Sequence, residues 1–110
     1  MATLVQNRLP VKIVILNNNF LGMVRQWQEM FFEKRYSQTC MELPIDYIKL
    51  ADAYGAKGFL ATRPDEVEAV IRQGFREEGP VIMEFKVARE EKVMPMVPSG
   101  ASLNEMLLNA

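Results

Sequence analysis

Three successive asparagines, Asn17-Asn18-Asn19, end an apolar run from Val11 to Leu16, and a helical pattern carrying Met23, Val24 and Trp27 begins a few residues later. A side-chain amide oxygen and a nearby backbone carbonyl at a strand's C-terminal end are hard, neutral donors suited to Mg²⁺. The crevice outside the carboxyl ends of parallel strands also collects helix N-termini, which favour anions. The same triplet has a plainer reading, because asparagine tolerates left-handed backbone angles and bonds its own backbone, so that three of them make a turn. No acidic residue lies in this turn. Since Mg²⁺ also wants carboxylate or phosphate oxygens, these donors supply half a site.

Other chemistries are excluded by composition. The chain has no histidine and one cysteine, Cys40, which removes the commonest general base, the commonest metal ligand and any intrachain disulfide. Ser/His/Asp, Cys/His and zinc sites therefore cannot be built from this chain alone. Cys40 reads as a buried or incidental thiol, since no base or thiolate-stabilising surroundings are visible. Formal net charge is -1 and the longest basic run is Lys34-Arg35, so neither nucleic acid nor a membrane surface is an expected partner. No apolar stretch approaches the ~20 residues of a membrane helix and no signal-peptide pattern opens the chain, so the expected location is cytoplasmic.

The elements that must position the asparagine turn follow from periodicity. The 110 residues are 49% apolar and 25% charged, which places them with folded globular chains and holds one domain at most. Ala2 to Arg8 reads as the end of a helix stopped by Pro10; a helix starting at Met1 without a cap suggests a chain cut from something longer. Val11 to Leu16 reads as a parallel strand covered on both faces. A helix is expected from Gly22 to Lys34, with Met23, Val24, Trp27, Met30 and Phe31 on one side and Arg25, Gln26, Gln28 and Glu29 on the other.

Arg35 to Pro44 is an expected surface loop. Asp46 is a candidate N-cap for a helix from Tyr47 to Tyr54, closed by Gly55 at C′. Gly58 to Ala61 is a short strand, and Thr62 or Arg63 caps a helix with Pro64 at its first position. Val67, Val70, Ile71 and Phe75 share one face of that helix. Pro80 to Val87 is the last strand, with Glu84 and Lys86 on one side. Strands alternating with helices predict an α/β fold with a parallel sheet, in three layers, flanked by helices, over residues 1–88. Residues 89–110 read as an extended tail with a possible helical turn at Leu103 to Leu108.

Leu9 to Gln28, including Gly22-Met23-Val24-Arg25-Gln26-Trp27-Gln28, resembles the second half of the thiamine diphosphate motif of acetolactate synthase (acetohydroxyacid synthase) large subunits. The resemblance continues through Arg35-Tyr36-Ser37, Asp46-Tyr47, Ala53-Tyr54-Gly55 and Met94-Pro95-Met96-Val97-Pro98. It implies the C-terminal part of a diphosphate-binding domain. Residue by residue, Asn18 is implied as a side-chain ligand and Phe20 as a carbonyl ligand of Mg²⁺, with Leu21, Gly22 and Met23 against the cofactor. Val24, Trp27 and Phe31 are implied to shape the pocket for the second 2-oxo acid, although their spacing alone reads as core.

The Gly-Asp-Gly that opens the motif in that family does not occur before Leu9, so the implied metal site draws its aspartate from outside this chain. The implied parent activity condenses two pyruvates, or pyruvate with 2-oxobutyrate, with loss of CO₂. It uses thiamine diphosphate, Mg²⁺ and, bound elsewhere, FAD. The small 2-oxo acids are the implied substrates and a regulatory small subunit a possible partner. Two expectations follow: a catalytic-subunit piece inactive alone, or a non-catalytic binding or oligomerisation module that keeps the fold. In either case an unpaired sheet edge predicts self-association. For the tail, simple disorder and a segment that folds over the site when ligands are present remain equal alternatives.

Overall fold

The computed structural model describes residues 1–41 and 45–109. The predicted loop reaches Pro44, so its last three residues lie outside the described range, as does Ala110 of the tail. Two compact units are present: residues 1–18 with 43–87, and residues 19–42 with 88–110. Residues 88–110 share their unit with residues 19–42, which contain the helix that follows the asparagine turn.

The first unit is a three-stranded parallel sheet in the order β1-β3-β2, with β1 at Lys12–Asn17, β2 at Lys57–Ala61 and β3 at Val81–Lys86. The last strand in the chain is the middle one, and its residues from Val81 to Phe85 are all buried. Helices α1 (Ala2–Gln6) and α3 (Tyr47–Ala53) lie on one face, where Ala51, Ala56 and Ile82 pack with Val5, Ile13, Ile15 and Tyr47. Helix α4 (Val67–Arg76) lies on the other, where Val70 packs with Ala61, Val81, Met83 and Phe85. This is the expected three-layer α/β arrangement, with a parallel sheet flanked by helices.

Local chemistry sets the boundaries. Asp46 accepts hydrogen bonds from the Ile48 and Lys49 amides at 3.1 and 3.0 Å, and Gly55 follows α3 with φ +76, the left-handed C′ conformation that glycine adopts without strain. Before α4, Pro64 opens a single 3₁₀ turn, Pro64–Glu66, and the Glu66 carboxylate accepts from the Thr62 and Arg63 amides at 2.8 and 3.1 Å. The one charge in β1 has its own reason: Lys12 Nζ donates to the carbonyls of Glu77 and Gly79 at 2.5 and 2.8 Å, capping the carbonyl end of α4 where a cation is favoured.

One expectation about β1 is corrected. Its inner face is packed as expected, but Val14 and Leu16 are 53% and 68% exposed on the other. The cause is that α4 packs on β2 and β3, leaving β1 as an edge strand with one face uncovered. No helix among the described residues is long and apolar enough to cross a membrane.

The second unit contains helix α2 (Gly22–Phe31), the loop after it and the C-terminal segment. Helix α2 ends three residues before the expected Lys34, because Glu33 and Lys34 both take left-handed angles, φ +53 and +59. In the C-terminal segment Met96 and Leu107 exchange both backbone hydrogen bonds, at 3.0 and 2.8 Å, and the expected helical turn is a 3₁₀ turn at Leu103–Glu105.

Close approach of α4 to β3 depends on Gly74, where a Cβ would fall 2.3 Å from Met83 Sδ and 3.0 Å from its Cγ. We therefore expect Gly74→Ala to destabilise the chain even though alanine favours a helix interior by about 1 kcal/mol. Met83, fully buried, should cost about 2–5 kcal/mol when truncated to alanine. In the Met83→Ala background the alanine at 74 should become neutral or favourable, a coupling that urea titration of the four-member cycle measures. A Gly74→Ala chain that unfolds at higher urea than the parent contradicts this account of the interface.

Candidate functional site

The asparagine turn begins where β1 ends. At that end of the sheet, on the α3 face, the apolar layer gives way to a polar trio. Glu84, 3% exposed, accepts from Asn17 Nδ2 at 2.6 Å and is ion-paired with Lys86. Register explains the meeting: Ile15 lies opposite Glu84 and Asn17 opposite Lys86, so all three polar side chains share a face. A buried carboxylate is costly unless paired and hydrogen-bonded. Here Glu84 is satisfied by two donors, and in return it fixes the side chain of the residue immediately before Asn18.

Asn19 has φ +61, so the turn does use asparagine's tolerance of left-handed angles. The chain then forms an antiparallel bridge between Phe20 and Cys40, its two bonds running from Leu21 N to Thr39 O and from Met41 N to Asn19 O, at 2.9 and 2.7 Å. Cys40 is exposed, which corrects the buried alternative. The Phe20 ring lies 5.0 Å from the Arg25 guanidinium and 4.9 Å from that of Arg89, cation–π contacts that hold this residue at the entrance to α2.

Helix α2 starts at Gly22 with no side-chain hydrogen bond at its N-cap, Leu21. First-turn amides of such a helix carry the positive end of the macrodipole and accommodate an anion. Leu21, Gly22 and Met23 occupy this position, with Leu21 and Met23 each 45% exposed. Asn18 and the Phe20 carbonyl are both neutral oxygen donors, chemically suited to Mg²⁺ but short of the carboxylate that such a site wants. Among the described residues no group of three or more His, Cys, Asp or Glu is placed to hold a metal ion. By chemistry alone, each of these oxygens is a donor that Mg²⁺ accepts, and a helix first turn is a place that an anion accepts.

Farther along α2, Val24 and Trp27 line a groove of about 400 Å³ together with Gln28, Phe32 and Arg35. Phe31 is outside that lining and packs edge-on against Trp27, ring centroids 5.5 Å apart. The stripe that spacing alone reads as core is therefore largely open, with Val24 50% and Phe31 41% exposed. The loop is tied to the helix by Gln28, which donates to the Ser37 carbonyl at 2.9 Å and accepts from Thr39 Oγ1 at 3.0 Å. Periodicity did not point to Phe32 or Arg35, which lie at the helix end.

Sequence periodicity placed Gln26 on the polar side of α2, yet it is the helix's buried residue. Its amide meets the backbone of Val93. Beside it Arg25 pairs with Glu29 at 3.3 Å, as the one-turn spacing predicts, and with Glu90 at 2.7 Å. Glu29 also pairs with Lys92 at 3.0 Å. The hydrogen bond from Lys92, helped by the charges of Lys92, Arg25 and Lys34, holds the Glu29 carboxyl below the usual carboxylate range against the opposing effect of desolvation.

A family profile described as thiamine pyrophosphate enzyme, C-terminal TPP binding domain, matches residues 1–85. The chain belongs to this family. Acetolactate synthase isozyme 2 large subunit of Escherichia coli is 44% identical over 97% of the chain, which covers 20% of that protein. The mitochondrial acetolactate synthase catalytic subunit of Saccharomyces cerevisiae is 43% identical over 97% of the chain, which covers 15% of it. The chain thus spans a fifth or less of the length of these curated relatives. A solved structure, the Rhodococcus jostii thiamine diphosphate-dependent 4-hydroxybenzoylformate decarboxylase, superposes with TM-score 0.74 at 22% identity, covering 83% of this chain and 17% of that one. That likeness shows the shared fold.

For this TPP-domain chain, the polar trio yields a direct expectation. Asn17→Ala removes one donor from the buried Glu84 and should lower the unfolding free energy by about 1–3 kcal/mol. Val14→Ala on the exposed face of the same strand should cost less than half as much. Equal urea midpoints for the two variants would show that Asn17 has no such role.

Proposed function

We propose that this chain is the C-terminal part of the cofactor-binding domain of an acetolactate synthase catalytic subunit. The parent enzyme would condense two pyruvates, or pyruvate with 2-oxobutyrate, with loss of CO₂. The observation that carries this reading is the reach of the similarity. The general family profile ends at residue 85, whereas the match to acetolactate synthases at 43–44% identity extends over 97% of the chain and so runs on through the C-terminal segment.

In this reading the Asn18 amide oxygen and the Phe20 carbonyl would hold Mg²⁺, and Leu21, Gly22 and Met23 would lie against the diphosphate at the start of α2. Thiamine diphosphate, when bound, supplies the electron sink for decarboxylation. The chain's own residues anchor and shape. Val24 and Trp27, with Phe31 bracing the indole edge-on, would form the wall that receives the second 2-oxo acid. A broad rigid apolar face favours the acceptor with one more methylene by about 1–3 kcal/mol. No residue of this chain is assigned a proton transfer, and FAD and the third protein ligand of Mg²⁺ would come from outside it. A cytoplasmic location and a regulatory small-subunit partner belong to the same proposal.

In the full-length enzyme, Trp27→Leu should lower the preference for 2-oxobutyrate over pyruvate by about tenfold or more while leaving cofactor affinity nearly intact. Competition between the two acceptors, read as the product ratio, measures this. An unchanged ratio removes Trp27 from the acceptor pocket.

The 110-residue chain by itself should be inactive and should self-associate through β1, an edge strand with Val14 and Leu16 exposed. Sedimentation at rising concentration should show growing mass, and calorimetry with thiamine diphosphate and Mg²⁺ should give no saturable heat. A stable monomer would refute the first expectation, and clear cofactor binding the second.

A further inference from the structure

Gln26 is 3% exposed, and both ends of its amide are engaged by one residue far away in sequence. Its Oε1 accepts from the Val93 amide at 2.7 Å, and its Nε2 donates to the Val93 carbonyl at 3.0 Å. Nε2 also lies 3.1 Å from Met96 Sδ. A primary amide that takes both the N–H and the C=O of a single residue reproduces the pairing a β-strand neighbour would offer. Ion pairs flank it on the same segment, Arg25 to Glu90 at 2.7 Å and Glu29 to Lys92 at 3.0 Å.

These contacts differ in kind. The Arg25–Glu90 pair reaches a side chain that is 69% exposed and is screened by water, and both ion pairs are tolerant in geometry. The amide is buried and directional. A leucine or methionine would fill the same volume but take both partners from the Val93 N–H and C=O, so that nothing from α2 would hold that residue's backbone.

We infer that Gln26 is a positioning residue, an amide clamp that holds the segment from Glu90 to Met96 on α2. The same helix carries Val24 and Trp27, so the clamp ties the C-terminal segment to the element that bears the groove. The inference concerns a conformational tie and stands apart from the proposed reaction.

Hydrogen exchange followed by mass spectrometry on the full-length protein tests it. With Gln26→Leu, the Val93 amide should exchange about tenfold faster or more, while peptides spanning Val81–Phe85 of β3 keep the protection of the parent. Gln26→Glu supplies the decisive comparison. Its ionised carboxylate has no donor for the Val93 carbonyl and repels it, which should drive the segment off α2 and break the bond from the Val93 amide as well, whereas the protonated form can donate to that carbonyl again. Exchange in 90–96, corrected for intrinsic rates, should be fast at pH 8 and return towards the parent's at pH 5. The charged groups facing position 26, namely Arg25 and Glu29 on α2 and Glu90 and Lys92 on the segment, are present in the parent, whose own profile subtracts their titration. Parent-like exchange in Gln26→Leu overturns the inference. If that variant loses protection in β3 as well, Gln26→Glu decides alone, and exchange that is equal at the two pH values overturns the clamp. Either negative result leaves the Trp27 product-ratio test untouched.

Discussion

A strand buried on both faces must be covered on both faces, and β3 is that strand here. Val81, Met83 and Phe85 face α4, while Ile82 faces α1 and α3. Each layer of the first unit follows from this demand. The helices lie where β3 needs cover, and β1 and β2 are the edges that satisfy its backbone. Gly74 lets α4 come close enough to pack on Met83, so a missing side chain in the helix and a large one in the strand are two halves of one contact.

Two amides carry the polar organisation of the molecule. Asn17 partners a buried carboxylate at the end of β1, and Gln26, itself buried on α2, partners the backbone of Val93. Both are neutral groups in places where a charge would be expensive, and both offer a donor in a fixed direction. Around them, the charges that do appear are arranged in pairs within each unit. The arrangement leaves Val24, Trp27 and Phe31 with exposed apolar surface instead of a sealed core.

Much of the fold was legible in the sequence. Repeated strand-then-helix patterns gave the parallel α/β class, Asp46 and Gly55 gave the ends of α3, and the left-handed Asn19 sits in the expected turn. What was not legible has physical causes. The uncovered face of β1 depends on where α4 lies, and an apolar strand looks the same whether its cover is present or not. Helix α2 stopped early because Glu33 and Lys34 adopt left-handed angles that their residue types do not advertise. Gln26 was read as solvent-facing because a polar residue on an amphipathic helix normally is; its partner is a backbone group 67 positions away. Glu84 did carry a signal, a lone acid in an apolar strand, which pairing with Asn17 and Lys86 explains. The family resemblance brought Asn18, Phe20 and Trp27 to notice, which spacing alone would have left as turn and core.

The register of β1 and β3 has a consequence for assembly. Val87 N donates to Asn17 O at 3.1 Å, so the chain leaves the first unit at two neighbouring strand ends, once after Asn18 and again after Val87. The second unit is made of the two stretches that begin there. Free in solution, these stretches would meet only by closing a long loop, an entropic cost that grows with its length. Once the sheet has formed, their starting points are already side by side, and their encounter takes place at the high effective concentration of a short tether. The β1–β3 pairing therefore brings together the points from which both stretches start, and so lowers the entropic cost of their meeting.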